Sequence, residues 1–582
     1  MHYTSRETYQ FISQKTNDPI VERKTCALSG QPFPITQKDL EFYDKVSPSF
    51  NGIKCQIPTP TLCPEERQRR RLAFRQERKL YKRPSDMSGK ELVTIYSPDK
   101  PYIVYSPEER RGDGWNPFDY GRDYDFQRPF FEQFKALRKT VPQIALWQIR
   151  GENAVYNHNC FQLKNSYMNF NTDFGEGNLY CYVGEYCTNC VDCSYAYHSE
   201  QCYQCFDARN AFQCFYSNSI ESCSNCYFSS DLIGCSFCYA SHGLRNASYV
   251  REGKHLEKAE RLARFQQYNR SQQIQPSFDQ YVQMLHKTVN RNMHLSNTEN
   301  CVGDYISLSK NVQFSYDVSE SENCKYLSYV AFGSKDVYDG NAMGDVELCY
   351  ENNEGGVGIR NCCFIKNPVE GLYKSFYCIY CVKNSANLFG CVGLRGKEYC
   401  ILNKQYTKEE YEQLVPKIIE KMKADGERGE FFPASISPFG YNETLANDYF
   451  PLTREEALEK GFVRSDFEAP LPQAEKIVEG SQLSNDITTV TDEMLTTAIK
   501  CEVSGRPFLL VKPELEFYRK HNLPLPRKHP DVRYAERMAL RNPRELNKRT
   551  CSTCGKEMIS VLPASDDRRV VCEACYQKEI YG

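Results

Sequence analysis

Four cysteines near the C-terminus carry the clearest chemistry in this 582-residue chain. Cys551-x2-Cys554 and Cys572-x2-Cys575 are separated by seventeen residues. Each pair places two thiols on one side of a tight turn, and two such turns offer tetrahedral four-thiolate coordination to Zn2+. Gly555-Lys556 follows the first pair, where the tight knuckle turn favours glycine. Iron in a rubredoxin-like site would use the same ligands. A closed four-thiolate set leaves no open coordination position, so the expectation is one structural zinc rather than a catalytic metal.

The second chemistry-bearing pattern is cationic. Arg533, Arg537, Arg541 and Arg544 recur at spacings of three and four, and Arg67, Arg71, Arg75 and Arg78 repeat the pattern near the N-terminus. Arg519 to Thr550 holds ten Lys/Arg against three Asp/Glu, and Cys63 to Arg83 holds nine against three. The whole chain has a net charge of −2, so the remainder carries about −15 and charge is segregated. One cationic helix face per end suits phosphate backbones, with no base reading implied. RNA, DNA or a ribonucleoprotein are the partners this reading expects. The competing reading pairs the same arginines with acidic faces of the chain itself or of a neighbouring subunit.

Catalytic machinery is sparse. The chain has no G-x-S-x-G, no H-E-x-x-H and no dinucleotide fingerprint, and its nine histidines form no ligand-spaced pair. Asp119, Asp123 and Asp125 match no standard cation loop and read as turn and cap residues. The run Glu351 to Gly356 reads either as a pocket-lining loop or as an ordinary coil turn. The expectation is therefore a protein that is not an enzyme. A carbohydrate-active solenoid enzyme is kept as an alternative, resting on fold analogy alone.

Two kinds of repeat must position these groups. CALSGQPFPITQKDLEFYDK from Cys26 aligns without a gap onto CEVSGRPFLLVKPELEFYRK from Cys501, and Pro64–Arg83 then lies over Pro530–Arg549. The ends are thus copies of one module. The four thiolate positions of the C-terminal copy are Ser85, Ser88, Ser106 and Glu109 in the N-terminal one, which is expected to be metal-free and held by packing. In the middle, Cys160, Cys181, Cys202 and Cys223 recur every 21 residues, as do Cys193, Cys214 and Cys235. A short fixed period suits a parallel β-solenoid, here read as about 21 residues per coil with three short strands. Stacked thiols would fill a narrow core in a geometry poor for disulfides. Cys187-x2-Cys190-x2-Cys193 and Cys378-x2-Cys381 leave additional metal open, with core packing the plainer role. Phe161, Tyr182 and Tyr203 follow a Cys ladder by one residue and are expected, by strand alternation, to face outward, either stacking bases or sugars or packing under a loop or a terminal arm. Tyr195, Tyr216 and Phe237 are expected in the core.

GLRNASYVREGKHLEKAE from Gly243 resembles GLRGKEYCILNKQYTKEE from Gly393, which doubles the solenoid. The expected class is mainly β: two tandem parallel β-solenoid lobes with helical caps, flanked by duplicated zinc-ribbon-like modules. The boundaries read as a metal-free module 1–112, an aromatic connector 113–152, lobe one 153–253, a cap 254–296, lobe two 297–403, a cap and linker 404–497, and the zinc module 498–582.

GWNPFDYGRDYDFQRPFFEQF from Gly114, LFGCVGLRGKEYCILNKQYTKEEY from Leu388 and the four-cysteine ribbon together resemble a family of Cys-rich proteins abundant in candidate-phyla (Patescibacteria-type) bacteria. That resemblance implies a bacterial intracellular setting and carries over no catalytic residue. The 29 cysteines, odd in number and without an apolar leader before them, agree with a reducing compartment such as the cytoplasm, and no run is apolar enough for a membrane span. The favoured function is a zinc-containing scaffold that binds nucleic acid. The alternative is a structural β-solenoid that binds a protein or self-assembles as a homo-oligomer.

Overall fold

The computed structural model describes residues 2–257, 274–330 and 332–582. The chain forms two compact units: Met1–Ala145 with Arg291–Phe467 and Pro543–Asp566, and Leu146–Asn290 with Glu468–Asn542 and Asp567–Gly582. Each contains parallel β-solenoid coils and flanking helices.

In the second unit an eight-stranded parallel sheet runs from Gln148–Ile149 to Ser230–Ile233. Phe170 pairs with Tyr182, Tyr182 with Ser194, Ser194 with Phe206, Phe206 with Asn218 and Asn218 with Ser230. Each coil is therefore twelve residues long, and the expected 21-residue coil is wrong. Every third residue from Tyr180 to Ala240 has φ near +50°, Gly234 with φ +65° among them. Four three-residue sides, each ended by a left-handed corner, make one turn. The 21-residue beat is one coil plus three sides, which arises because cysteines occupy inward positions that recur every three residues. Alternation with period two does not apply either. Tyr195, Tyr216 and Phe237 are left-handed corner residues outside the thiol core, not within it.

A twelve-residue coil encloses four side chains, so the inward position must be small. From Cys181 to Ser241 it holds only Cys, Ala, Ser and Gly, apart from Ile220 and Leu232. The inward atom also meets a backbone carbonyl nine residues on, in the next coil. Cys205 Sγ reaches Cys214 O at 3.1 Å, Ser217 Oγ donates to Cys226 O at 3.2 Å, and Asn169 Nδ2 donates to Asn178 O at 2.8 Å. Cysteine suits this place because it is small and largely apolar yet keeps a weak S–H donor. No cysteine is disulfide-bonded.

In the first unit the parallel coils, from Leu295–Glu299 to Glu398–Ile401, are less regular. Leu295 pairs with Ile306, Val312 with Cys324, Lys325 with Tyr338 and Leu388 with Cys400, giving coils of eleven to thirteen residues, again not the expected 21. The wider lumen admits Ile306, Leu327, Met343, Ile359 and Leu372 beside the cysteines. Outside, Glu299, Lys310, Glu322, Lys335, Glu347 and Arg360 occupy successive register positions, an alternating charge ladder with ion pairs of 2.9–3.4 Å. A one-residue slip would break the alternation, so the ladder helps hold register.

The helix Lys408–Ala424 opens the expected cap and linker 404–497. Thr407 and Glu410 form its capping box, and Tyr411, Val415, Ile418, Ile419 and Met422 are its buried face. Within the expected helical cap 254–296 a helix covers Ile274–Lys287 with Pro276 inside it, while residues 258–273 lie outside the described residues. Among the described residues no helix is long and apolar enough to cross a membrane.

Candidate metal centre and the arginine helices

The Sγ atoms of Cys551, Cys554, Cys572 and Cys575 lie within 4.8 Å of one another. A tetrahedron of thiolates with metal–sulfur bonds of about 2.3 Å has edges of about 3.8 Å, so the donor set fits one ion such as Zn2+ with little adjustment. Local structure explains the convergence. The hairpin Asn547–Thr550/Glu557–Ser560 ends in a turn where Lys556 O accepts from Cys551 N and Cys551 O accepts from Gly555 N, at 2.9 and 3.0 Å. Gly555 takes φ +71°, which only glycine adopts without cost. Cys572 is the N-cap of the helix Glu573–Tyr581, whose first turn carries Cys575.

The same construction occurs four times. Cys26, Ser85 and Cys501 each begin an equivalent turn, closed by bonds from Gly30, Gly89 and Gly505 at 2.9 Å, with φ of +68° to +72°. Each is followed by a helix whose N-cap is Cys63, Ser106 or His529 and whose next residue is proline. Only the last copy keeps four thiols. In the second, Ser85 Oγ and Ser106 N both donate to Glu109 Oε2, at 2.5 and 2.8 Å, so hydrogen bonds tie the turn to the helix. Burial raises the Glu109 carboxyl, but the Ser85, Ser88 and Ser106 hydrogen bonds outweigh it and hold it below its usual range. The N-terminal copy is thus held by this polar knot as well as by packing. In the first copy Cys63 hydrogen-bonds to Cys26 and favours its thiolate over burial's opposing effect, with Ser29 Oγ 3.8 Å from Cys63 Sγ. Cysteine spacing marks only one ligand set per module. The second is legible as Cys26-x2-Ser29-Gly30 with Cys63-Pro64, and Cys501-x2-Ser504-Gly505 with His529-Pro530.

The arginine faces do not point to solvent, which corrects the expectation of open phosphate-binding surfaces. Arg67, Arg71, Arg75, Arg533 and Arg537 are at most 4% exposed. In the first unit the helix Pro64–Leu72 lies on the coils: Arg67 and Arg71 both reach Asp339 at 2.9 Å, Arg71 reaches Glu351 at 3.2 Å, and Arg70 reaches Glu351 at 2.7 Å. Arg75 meets Glu77 and Glu354, while Arg78 is only half-buried. In the second unit the helix Pro530–Ala539 repeats the arrangement. Arg533 and Arg537 share Asp192 at 2.6 and 3.3 Å, and Arg541 pairs with Asp207 at 2.9 Å and lies 3.6 Å over the Tyr195 ring. Arg544, in the first unit, pairs with Asp317 at 3.0 Å.

The match is geometric. Asp192, Asp207, Asp317, Asp339, Glu351 and Glu354 are all left-handed corner residues of the coils. Helical residues four apart rise about 6 Å, close to the roughly 4.8 Å between stacked corners, so two successive arginines of each helix converge on one corner acid, and Arg75 and Arg541, just past the helix ends, reach further corners. Charge patterning by helical period is visible in the sequence; the acids are not, because they follow the coil's threefold corner spacing.

The helices preceding these copies bind alike. Asp39 accepts from Lys325 at 2.7 Å beside Asp18 at 2.6 Å, and Phe42 stacks on Tyr338 at 3.8 Å. The equivalent Glu514 accepts from Tyr180 at 2.9 Å, and Phe517 packs 5.9 Å from Tyr203. Tyr182, likewise covered, lies 5.1 Å from Tyr534, so these rings face outward from the coil but are buried under the terminal module; Phe161 is half-buried, with Arg150 over its ring at 5.6 Å.

The remaining candidates have ordinary duties. Asp123 accepts from Lys404 at 2.5 Å and Tyr406 at 3.1 Å, Asp125 accepts from Gln127 N at 2.8 Å, and Asp119 lies in the short helix Pro117–Tyr120. Glu351 belongs to the arginine contacts and Asn353 donates to Arg71 O at 2.8 Å, so the run from Glu351 is a docking corner, not a pocket loop. Cys187, Cys190, Cys193, Cys378 and Cys381 are inward ladder thiols. Among the described residues only the terminal four-cysteine set gathers three or more metal-binding groups. No protein-family model matches the chain, and no curated protein matches it.

Proposed function

We propose that the protein is a structural β-solenoid scaffold that presents its coils to a protein partner or to further copies of itself, with one zinc ion as a structural staple. The observation that carries this reading is the inward pairing of Arg67, Arg71, Arg533 and Arg537 with corner carboxylates of the coils. A cation neutralised by a buried acid releases no phosphate counterion, so the nucleic-acid reading loses its main contacts. On this reading each solenoid lobe is clasped by a duplicated ribbon-like module, no reaction is catalysed, and the unpaired thiols support a cytoplasmic setting. The resemblance to the Cys-rich candidate-phyla family supports the same setting. Four thiols within 4.8 Å of one another suit a structural Zn2+, with iron as the alternative that would use the same ligands.

The test is a salt series of binding to mixed RNA and duplex DNA, alongside light scattering for oligomeric state. The scaffold reading expects no saturable nucleic-acid binding near physiological salt. A log–log slope steeper than about −4 would mean several phosphates are engaged and would overturn it.

A further inference from the structure

The second unit holds a cavity of about 420 Å3 that the clasp and the metal centre leave unused. Its floor is aromatic: Tyr203, Phe206 and Tyr216 from the coils, and Phe278 and Tyr281 from the helix Ile274–Lys287. These rings are fixed before any ligand arrives. Tyr216 stacks on Phe228 at 4.9 Å, Phe278 meets Tyr216 edge-on at 6.0 Å, and Tyr281 donates its hydroxyl to Asn218. Leu525 and Pro526 close one side.

The rim is charged, and most of that charge is already matched. Lys528 pairs with Glu536 at 2.8 Å, and Arg533 and Arg537 pair with Asp192. Two lining charges are different. Among the described residues Arg527 donates only to neutral acceptors, Leu483 O at 3.1 Å and Asn485 Oδ1 at 2.9 Å. Glu502 is exposed and, among the described residues, makes no ion pair. Both leave the backbone at one place, since Glu502 N donates to Arg527 O at 3.2 Å. A cation and an anion thus line the same aromatic cleft from adjacent backbone positions, with no ion pair between them among the described residues.

We infer that this cavity binds an aromatic zwitterion, with an aromatic α-amino acid as the matching class. The ring would lie on the floor, the carboxylate would take the Arg527 guanidinium, and the ammonium would take Glu502. Pockets of this size hold small ligands by an apolar body and a few placed polar groups, and a guanidinium is the natural carboxylate partner. The inference is independent of the scaffold reading, because it needs neither a partner nor assembly.

The experiment compares three probes on the full-length protein by titration calorimetry: L-tryptophan, indole-3-propionate and tryptamine. These carry both charges, the anion alone and the cation alone. Tryptophan should bind at least tenfold tighter than either of the others. Arg527→Gln should weaken tryptophan and indole-3-propionate tenfold and leave tryptamine unchanged, while Glu502→Gln should do the reverse for the two single-charge probes. Phe278→Ala should weaken all three. Equal affinity for the three probes, or no binding of tryptophan at millimolar concentration, would overturn the inference without any variant being made.

Discussion

Asp192 is the most exacting test of how the terminal module is held. The carboxylate is fully buried and accepts from Arg533 at 2.6 Å and Arg537 at 3.3 Å. Asp192→Asn keeps the shape and removes the charge, leaving two buried guanidiniums facing one remaining acid, Glu514, 3.2 Å from Arg533. Stripping one partner from a buried pair costs about 3–5 kcal/mol. Part of that is returned by Glu514, whose carboxyl is raised first by burial and further by the Asp192 charge, against the lowering effect of Arg533. The expected net loss is about 3 kcal/mol. Two compact units need not unfold together, so the assay is native-state hydrogen exchange of the coil amides of Tyr182–Glu221, with urea denaturation as the global measure. Lys164→Ala, which removes an exposed ladder cation 3.9–4.0 Å from Glu176 and Glu152, is the control and should cost under about 0.5 kcal/mol. Asp339→Asn in the other unit, where Arg67 and Arg71 share one acid, should reproduce the effect. If Asp192→Asn cost no more than Lys164→Ala, buried charge would not be what holds the arginine helix, and the clasp would be refuted.

Metal analysis of the purified protein should find one zinc per chain and none in Cys554→Ser; the combined change Ser85→Cys, Ser88→Cys, Ser106→Cys and Glu109→Cys should raise the count to two. Asp173 sits in register with Glu185, and burial, opposed by the Phe161 N–H bond and reinforced by Glu185, lifts its titration point from 3.8 to about 7. Because the folded value is raised, the protonated carboxyl is favoured and stability falls as pH climbs from about 4 to 7. Asp173→Asn should therefore stabilise by up to about 4 kcal/mol at pH 8 and change little at pH 4, as read by thermal melts. Inward Cys205 should accept serine, whose hydroxyl can use the same Cys214 carbonyl, within about 1 kcal/mol. Leucine there should cost about 1–3 kcal/mol by overpacking; equal melting temperatures for the two variants would contradict a four-side-chain lumen.

Much of this protein is written in local residue patterns. The thiolate set needs only two tight turns and short spacings, so Cys551, Cys554, Cys572 and Cys575 are readable without a fold. The parallel solenoid is also readable, because a coil repeats its constraint on small inward residues many times along the chain. The coil length was less accessible. Eleven cysteines between Cys181 and Cys238 all sit at multiples of three from one another, and several periods fit such a set. Only strand register separates twelve from 21, since register depends on which backbone groups bond across coils. Tertiary structure alone decided the arginines. A cationic helix face is the same pattern whether it meets phosphate or carboxylate, and its partners Asp192 and Asp339 lie hundreds of residues away on coil corners. Their burial, and with it the change from a nucleic-acid surface to an internal clasp, follows from packing two different periodicities, helix and coil, against each other.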